Sequence, residues 1–155
     1  MITCSKVFPE IPFAHRQPNH KGHCRFIHGH NWTIKLTFVA DRLDDCGFVM
    51  DFGDCKEIKQ MLITEFDHAL VLNVGDHILN ELPGNSAVRS NAFKLTTVPD
   101  CSCEGLAKYF QDRCDEIVSK KTECRVRVLS CTVDEDSRNS ATFSIPNPFA
   151  PKDTA

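Results

Sequence analysis

Apolar and polar positions alternate most cleanly between Asn31 and Ala40, where Trp32, Ile34, Leu36 and Phe38 take turns with Thr33, Lys35, Thr37 and Val39. A period of two is that of a strand with one buried face. Residues 2–15 read as a weaker strand. Pro9 and Pro12 remove ladder donors there, which predicts a bulge, an edge position or a break. After the turn Asp44-Asp45-Cys46-Gly47 and the short extended run Phe48-Val49-Met50, the period becomes helical. Cys55, Ile58, Met61 or Leu62 and Phe66 recur at helical spacing, and Asp54 with Glu57 has the form of a capping box. A helix is therefore predicted to start near Asp51 or Asp54. Residues 67–100 keep no single period and contain the loop Pro83-Gly84-Asn85. A second helix is predicted over 102–120, with Leu106, Phe110, Cys114 and Ile117 as its apolar stripe and Lys120-Lys121 at its C-terminal end. Strands near 124–134 and 140–146 flank the polar turn Asp136-Ser137-Arg138-Asn139. Residues 146–155 form a tail, frayed from 150 onward.

The order β-β-α-α-β-β carries no repeat, linker or low-complexity stretch, and 155 residues suit a single domain spanning 1–155. Strands adjacent in sequence predict antiparallel pairing, hence an α+β fold with a four-stranded antiparallel sheet and both helices on one face. Such a sheet has open edges, which favours oligomerisation by edge pairing. A net charge of -3 leaves no footprint for nucleic acid or an anionic membrane surface. No apolar run approaches the ~20 residues that span a bilayer. The nine cysteines are odd in number and scattered from Cys4 to Cys131, and the first residues lack a basic start and an apolar run. Both features predict reduced thiols in a cytoplasmic protein.

Five of the seven histidines fall between His15 and His30. His28-Gly29-His30 opens the best strand, and residues two apart on a strand share a face, so both imidazoles can reach one ion. His15, ending the preceding strand, joins them if the two strands pair. Three neutral imidazoles with one open position describe a catalytic zinc site; the competing reading is a polar loop of hydrogen-bonded histidines. His20 and His23 read as loop residues. Cys24, four residues before His28, is a thiol that a nearby cation would activate as base or nucleophile, or else one structural cysteine among nine. Cys101-Ser102-Cys103 is too isolated for a metal site. Asp67-His68 can form a proton-transfer pair or a surface turn. Glu135 belongs to a solvated acidic turn or offers its carboxylate to two parallel N–H donors, as on the edge of a pterin or guanine.

Taken in order, Ala14-His15-Arg16, Cys24-X3-His28-Gly29-His30-Asn31, Asp51-Phe52-Gly53, Asp67-His68-X2-Leu70 and Glu135 resemble the 6-pyruvoyltetrahydropterin / 6-carboxytetrahydropterin synthase superfamily over residues 13–146. The short spacer from Cys24 to His28 is more similar to the 6-carboxy enzymes of 7-deazaguanine (queuosine) synthesis than to the biopterin branch. The resemblance implies a tunnelling fold whose sheets join into an oligomeric barrel, a homohexamer built as a dimer of trimers, with active sites between subunits. It also implies Zn2+ on His15, His28 and His30, Cys24 as catalytic thiol with Asp67 and His68 as relay, and Glu135 and Glu104 as substrate-binding residues. The implied substrate is 7,8-dihydroneopterin triphosphate, whose phosphates Arg16, Lys21 and Arg25 lie near enough in sequence to meet. Cys101-Ser102-Cys103-Glu104-Gly105 stands where the family has Pro-Thr-X-Glu-Asn, Asp136 where it has threonine, and Ile11-Pro12-Phe13 departs from its usual pattern. A 6-pyruvoyl product and a non-catalytic zinc-stabilised pterin- or nucleotide-binding oligomer are the competing functions.

Overall fold

The computed structural model describes residues 1–82 and 91–150. The expected loop Pro83-Gly84-Asn85 and the last five residues of the tail lie outside them. The sheet has six strands: β1 (Ile2–His15), β2 (His28–Ala40), β3 (Ala69–Asn73), β4 (Lys94–Val98), β5 (Val126–Asp134) and β6 (Ser140–Ser144), in the order β4-β3-β1-β2-β5-β6. This corrects the expected four-stranded antiparallel sheet. The four predicted strands pair antiparallel as expected, but β3 runs parallel to β1, and β4 parallel to β3. Both added strands come from the stretch without a clear period; β4 is a short edge strand with only Val98 buried, and β3 is hidden for a physical reason. A parallel strand covered on both faces reads as a short apolar run such as Ala69-Leu70-Val71-Leu72, with nothing to alternate.

β1 and β2 form the longest pairing, from Ile2 opposite Ala40 to His15 opposite His28. The register shifts between Phe8 and Ile11, and Glu10 adopts φ 56°. The irregularity brackets Pro9, the residue that cannot donate to the ladder.

The first helix is shorter than its apolar spacing predicts. A 3-10 turn (Phe52–Cys55) leads into α1 (Lys56–Met61), and a π-helical turn (Leu62–Phe66) follows. The expected capping box does not form, since Asp54 pairs with Lys121 at 3.1 Å while Asp51 accepts from the Gly53 N–H at 2.7 Å. The predicted core positions Cys55, Ile58, Met61, Leu62 and Phe66 are nonetheless all buried. α2 (Cys103–Lys121) begins at Ser102, whose hydroxyl accepts from the Gly105 N–H at 3.0 Å, an N-cap. Leu106, Phe110, Cys114 and Val118 are its buried stripe, in one core with Ile58 and Met61 of α1, Ile34, Leu36 and Phe38 of β2, and Val128 and Cys131 of β5. Asp115 of α2 accepts from the Arg127 guanidinium and from the Val128 N–H at 2.8 Å, fixing helix to sheet.

Gly105 has a steric duty. A Cβ there would come within 2.5 Å of the Asp100 carbonyl oxygen and 2.6 Å of the Asp100 Cβ. Gly105→Ala is expected to displace the 100–105 turn and lower stability by about 1–3 kcal/mol. Denaturant titration measures this; an unchanged midpoint would mean that the turn yields without strain.

Candidate metal centre and its cavity

Register assembles the site. His15 pairs with His28 and Phe13 with His30, so on the alternating sheet His15, His28 and His30 share the face that carries Trp32, Ile34 and Leu36. The three imidazoles prolong the core stripe beyond Trp32, with ring centroids 4.6 to 5.5 Å apart. Trp32 floors the cluster, standing edge-on to His15 at 4.9 Å and to His30 at 5.3 Å, and it stacks on Phe13 at 4.7 Å. On the other side of β2, Thr33 pairs with Asp134, and the next residue, Glu135, reaches the same face. Its Oε1 lies 3.0 Å from His30 Nε2 and 3.3 Å from His15 Nε2.

Two rings are oriented from behind. His15 Nδ1 is 2.8 Å from the Cys101 carbonyl, and His28 Nδ1 is 2.8 Å from the Phe26 carbonyl. A carbonyl only accepts, so each Nδ1 carries the proton and each Nε2 offers a lone pair. His15 and His30 Nε2 are buried without an aligned hydrogen bond, because their approach to Glu135 is off the bonding line. Burial holds His15 below the ordinary histidine range, with the Cys101 carbonyl opposing in part, and so favours the neutral, ligating form. One ligand atom each from His15, His28, His30 and Glu135 fits within 4.8 Å. A tetrahedral ion with bonds of ~2.0–2.1 Å spaces its ligands at about 3.3 Å, so this donor set fits a metal after a small contraction.

A cavity of about 430 Å³ opens at the cluster, lined by His15, Cys24, Glu104 and Glu135 together with His20, Cys103 and the 138–140 segment. That is within the range of small-ligand sites. Cys24 lies in a 3-10 turn (His23–Arg25) just before β2. His20, read as a loop residue, accepts from the Gly22 N–H at 2.9 Å and lines the same space. Asp67 and His68 lie elsewhere. His68 is 81% exposed, adopts φ 57°, pairs with Asp67 at 2.8 Å and gives its N–H to the Pro12 carbonyl at 2.7 Å. It lines a separate depression with His30, and Asp67 faces a third one. Within one chain, the structure clusters His15, His28 and His30 with Glu135 and lines one cavity with His15, Cys24, Glu104 and Glu135, and it does not bring the Asp67–His68 pair to that cavity.

Of the cations expected near phosphate, Arg16 and Arg25 are engaged otherwise, and Lys21 does not line the cavity. Arg16 lies 3.1 Å from the buried Asp76, and Arg25 donates to the Lys21 carbonyl and stacks on Phe26. Sequence reasoning missed Cys101, which acts through its carbonyl, and Asn73, whose Oδ1 accepts from the Cys101 N–H at 2.7 Å. Backbone roles leave no side-chain signature. The second cysteine of the cavity, Cys103, donates to the Val133 carbonyl, and burial followed by the Glu135 charge pushes its thiol up to about 11. At pH 8 roughly one Cys103 in a thousand is then ionised. In native protein treated with iodoacetamide at pH 8, the exposed Cys46 and Cys124 should be modified well before Cys103. Peptide mapping checks this, and equal rates would contradict it.

The family model described as 6-pyruvoyl tetrahydropterin synthase matches residues 4–146. The chain is 36% identical to the 6-carboxy-5,6,7,8-tetrahydropterin synthase of Rickettsia bellii over 77 residues, 49% of this chain and 55% of that one, so the match spans about half the relative's length. It is 30% identical over 124 residues to the protein of the same name from Synechocystis, covering 69% of this chain and 94% of that one. A crystal structure of 6-pyruvoyl tetrahydropterin synthase from Plasmodium vivax superposes with a TM-score of 0.68 at 20% identity, covering 94% and 100% of the two chains, a likeness of fold. With nearly its whole length matched by one family model, the chain belongs to the 6-pyruvoyl tetrahydropterin synthase family.

Proposed function

We propose that the protein is a zinc-dependent lyase of the cytoplasm. It converts 7,8-dihydroneopterin triphosphate and water to 6-carboxy-5,6,7,8-tetrahydropterin, acetaldehyde and triphosphate, in 7-deazaguanine synthesis. The observation that carries this reading is the cluster of three imidazoles and Glu135, two of its imidazole nitrogens orphaned, beside a cavity that His15 and Glu135 of the cluster share with Cys24. The names of the curated relatives favour the 6-carboxy product.

His15, His28 and His30 would hold the zinc, which supplies Lewis acidity to the hydroxyls of the substrate side chain. Cys24 takes and returns a proton at that side chain. Glu104 and Glu135 line the cavity as acceptors for the N–H edge of the pterin, with the three imidazoles alone as the metal's protein ligands. His68, with its Nδ1 turned to Asp67, presents Nε2 as the second proton carrier. Because that pair lies outside Cys24's cavity, the reading places it in the site of a neighbouring copy, within a homohexamer. The family model's own description keeps a 6-pyruvoyl product as the second reading.

The test is substrate consumption by protein of defined metal content. Turnover that tracks bound zinc, disappears on chelation and returns with zinc is expected. Turnover independent of metal would contradict the role given to the histidines.

A further inference from the structure

A polyphosphate substrate brings several negative charges to a cavity that already holds the carboxylates of Glu104 and Glu135. The strongest side-chain partner for such a chain is a cation, above all the guanidinium fork of arginine. Arg16 is turned to Asp76 and Arg25 to Phe26 and the Lys21 carbonyl, and neither lines the cavity. Among the described residues lining it, Arg138 alone is a lysine or arginine.

Arg138 sits in the turn between β5 and β6, and the turn is braced from within. Asp136 accepts from the Arg138 N–H at 2.7 Å, the Asn139 N–H at 2.8 Å and the Asn139 side-chain amide at 2.9 Å, while the Glu135 N–H donates to the Asn139 carbonyl at 2.9 Å. The negative charge of Asp136 is engaged by the amides of Arg138 and Asn139, and those hydrogen bonds hold its carboxyl below the usual range. The bracing sets the Arg138 backbone beside Glu135. Among the described residues, its guanidinium makes no hydrogen bond or ion pair.

We infer that Arg138 is the phosphate-recognising cation of this cavity and grips the polyphosphate chain of the substrate. The inference rests on the phosphorylated pterin proposed above and adds to it the residue that distinguishes a phosphorylated pterin from a bare one. Asp136 is the positioning residue that presents Arg138.

The test is equilibrium binding, followed by pterin fluorescence, of neopterin triphosphate and of neopterin to the zinc-loaded protein. Arg138→Gln should weaken the triphosphate about tenfold or more and leave neopterin unchanged, as expected for loss of one charge-assisted contact. Arg138→Lys should recover part of the loss, and the salt dependence of triphosphate binding should shrink in Arg138→Gln. Equal losses for both ligands would mean that the substitution only disturbs the turn, and no loss for either would mean that phosphate is gripped elsewhere. Both outcomes overturn the inference while the pterin reading stands. If the unaltered protein binds neither pterin, the inference and the reading fall together.

Discussion

Cys24→Ala protein is expected to keep its metal and its fold and to lose turnover by about 10²–10⁴-fold. That range is typical for removal of a positioned proton carrier. Cys24 lines the cavity beside His15 and Glu135 without being one of the clustered donors, so its loss leaves the cluster whole. It sits in an exposed turn and is only half-buried, and its truncation therefore costs little packing. Steady-state kinetics together with metal analysis decide the matter. A variant that retains full activity would remove the thiol from the mechanism. A variant that loses metal would instead show that Cys24 supports the cluster.

His15→Ala should have the broadest effect of any single change. His15 is 3% exposed, and its ring both belongs to the candidate metal cluster and satisfies the Cys101 carbonyl. Removing it deletes one of the three proposed imidazole ligands, opens space against Trp32, and leaves a buried carbonyl without its donor. Metal occupancy is expected to drop by at least tenfold or so, turnover to disappear, and stability of the metal-free fold to drop by about 1–3 kcal/mol. His28→Ala supplies the comparison. His28 is only partly buried and its Nδ1 partner is the nearby, exposed Phe26 carbonyl, so this variant should lose metal and activity with little change in the metal-free fold. Metal analysis and denaturant titration of both variants separate the roles. Full metal retention by either one would contradict the ligand assignment.

Much of this centre was legible from β2. The alternation that buries Trp32, Ile34 and Leu36 continues backward through His30 and His28, so their shared face follows from the strand period. The antiparallel partner then brings His15 opposite His28, as strand adjacency suggested. Glu135 was legible as a chemical candidate, but its approach to His30 depends on the pairing of Thr33 with Asp134. What stayed hidden came mostly from β3 and β4, five-residue strands whose pairing is parallel and long-range. They carry Asn73 and lead to Cys101, the pair that orients His15, and neither role has a side-chain motif behind it. Asp54 and Glu57 fit a capping box, yet the tertiary pairing of Asp54 with Lys121 overrides it. Asp67 and His68 hydrogen-bond to each other, while their separation from Cys24's cavity could not be inferred from order along the chain.

Incubation of the zinc-loaded protein with 7,8-dihydroneopterin triphosphate, with products identified by mass spectrometry, tests the central claim most directly. The account predicts 6-carboxy-5,6,7,8-tetrahydropterin with acetaldehyde and triphosphate in equal amounts. A 6-pyruvoyl product without acetaldehyde, or no product from protein with a full complement of zinc, would contradict it.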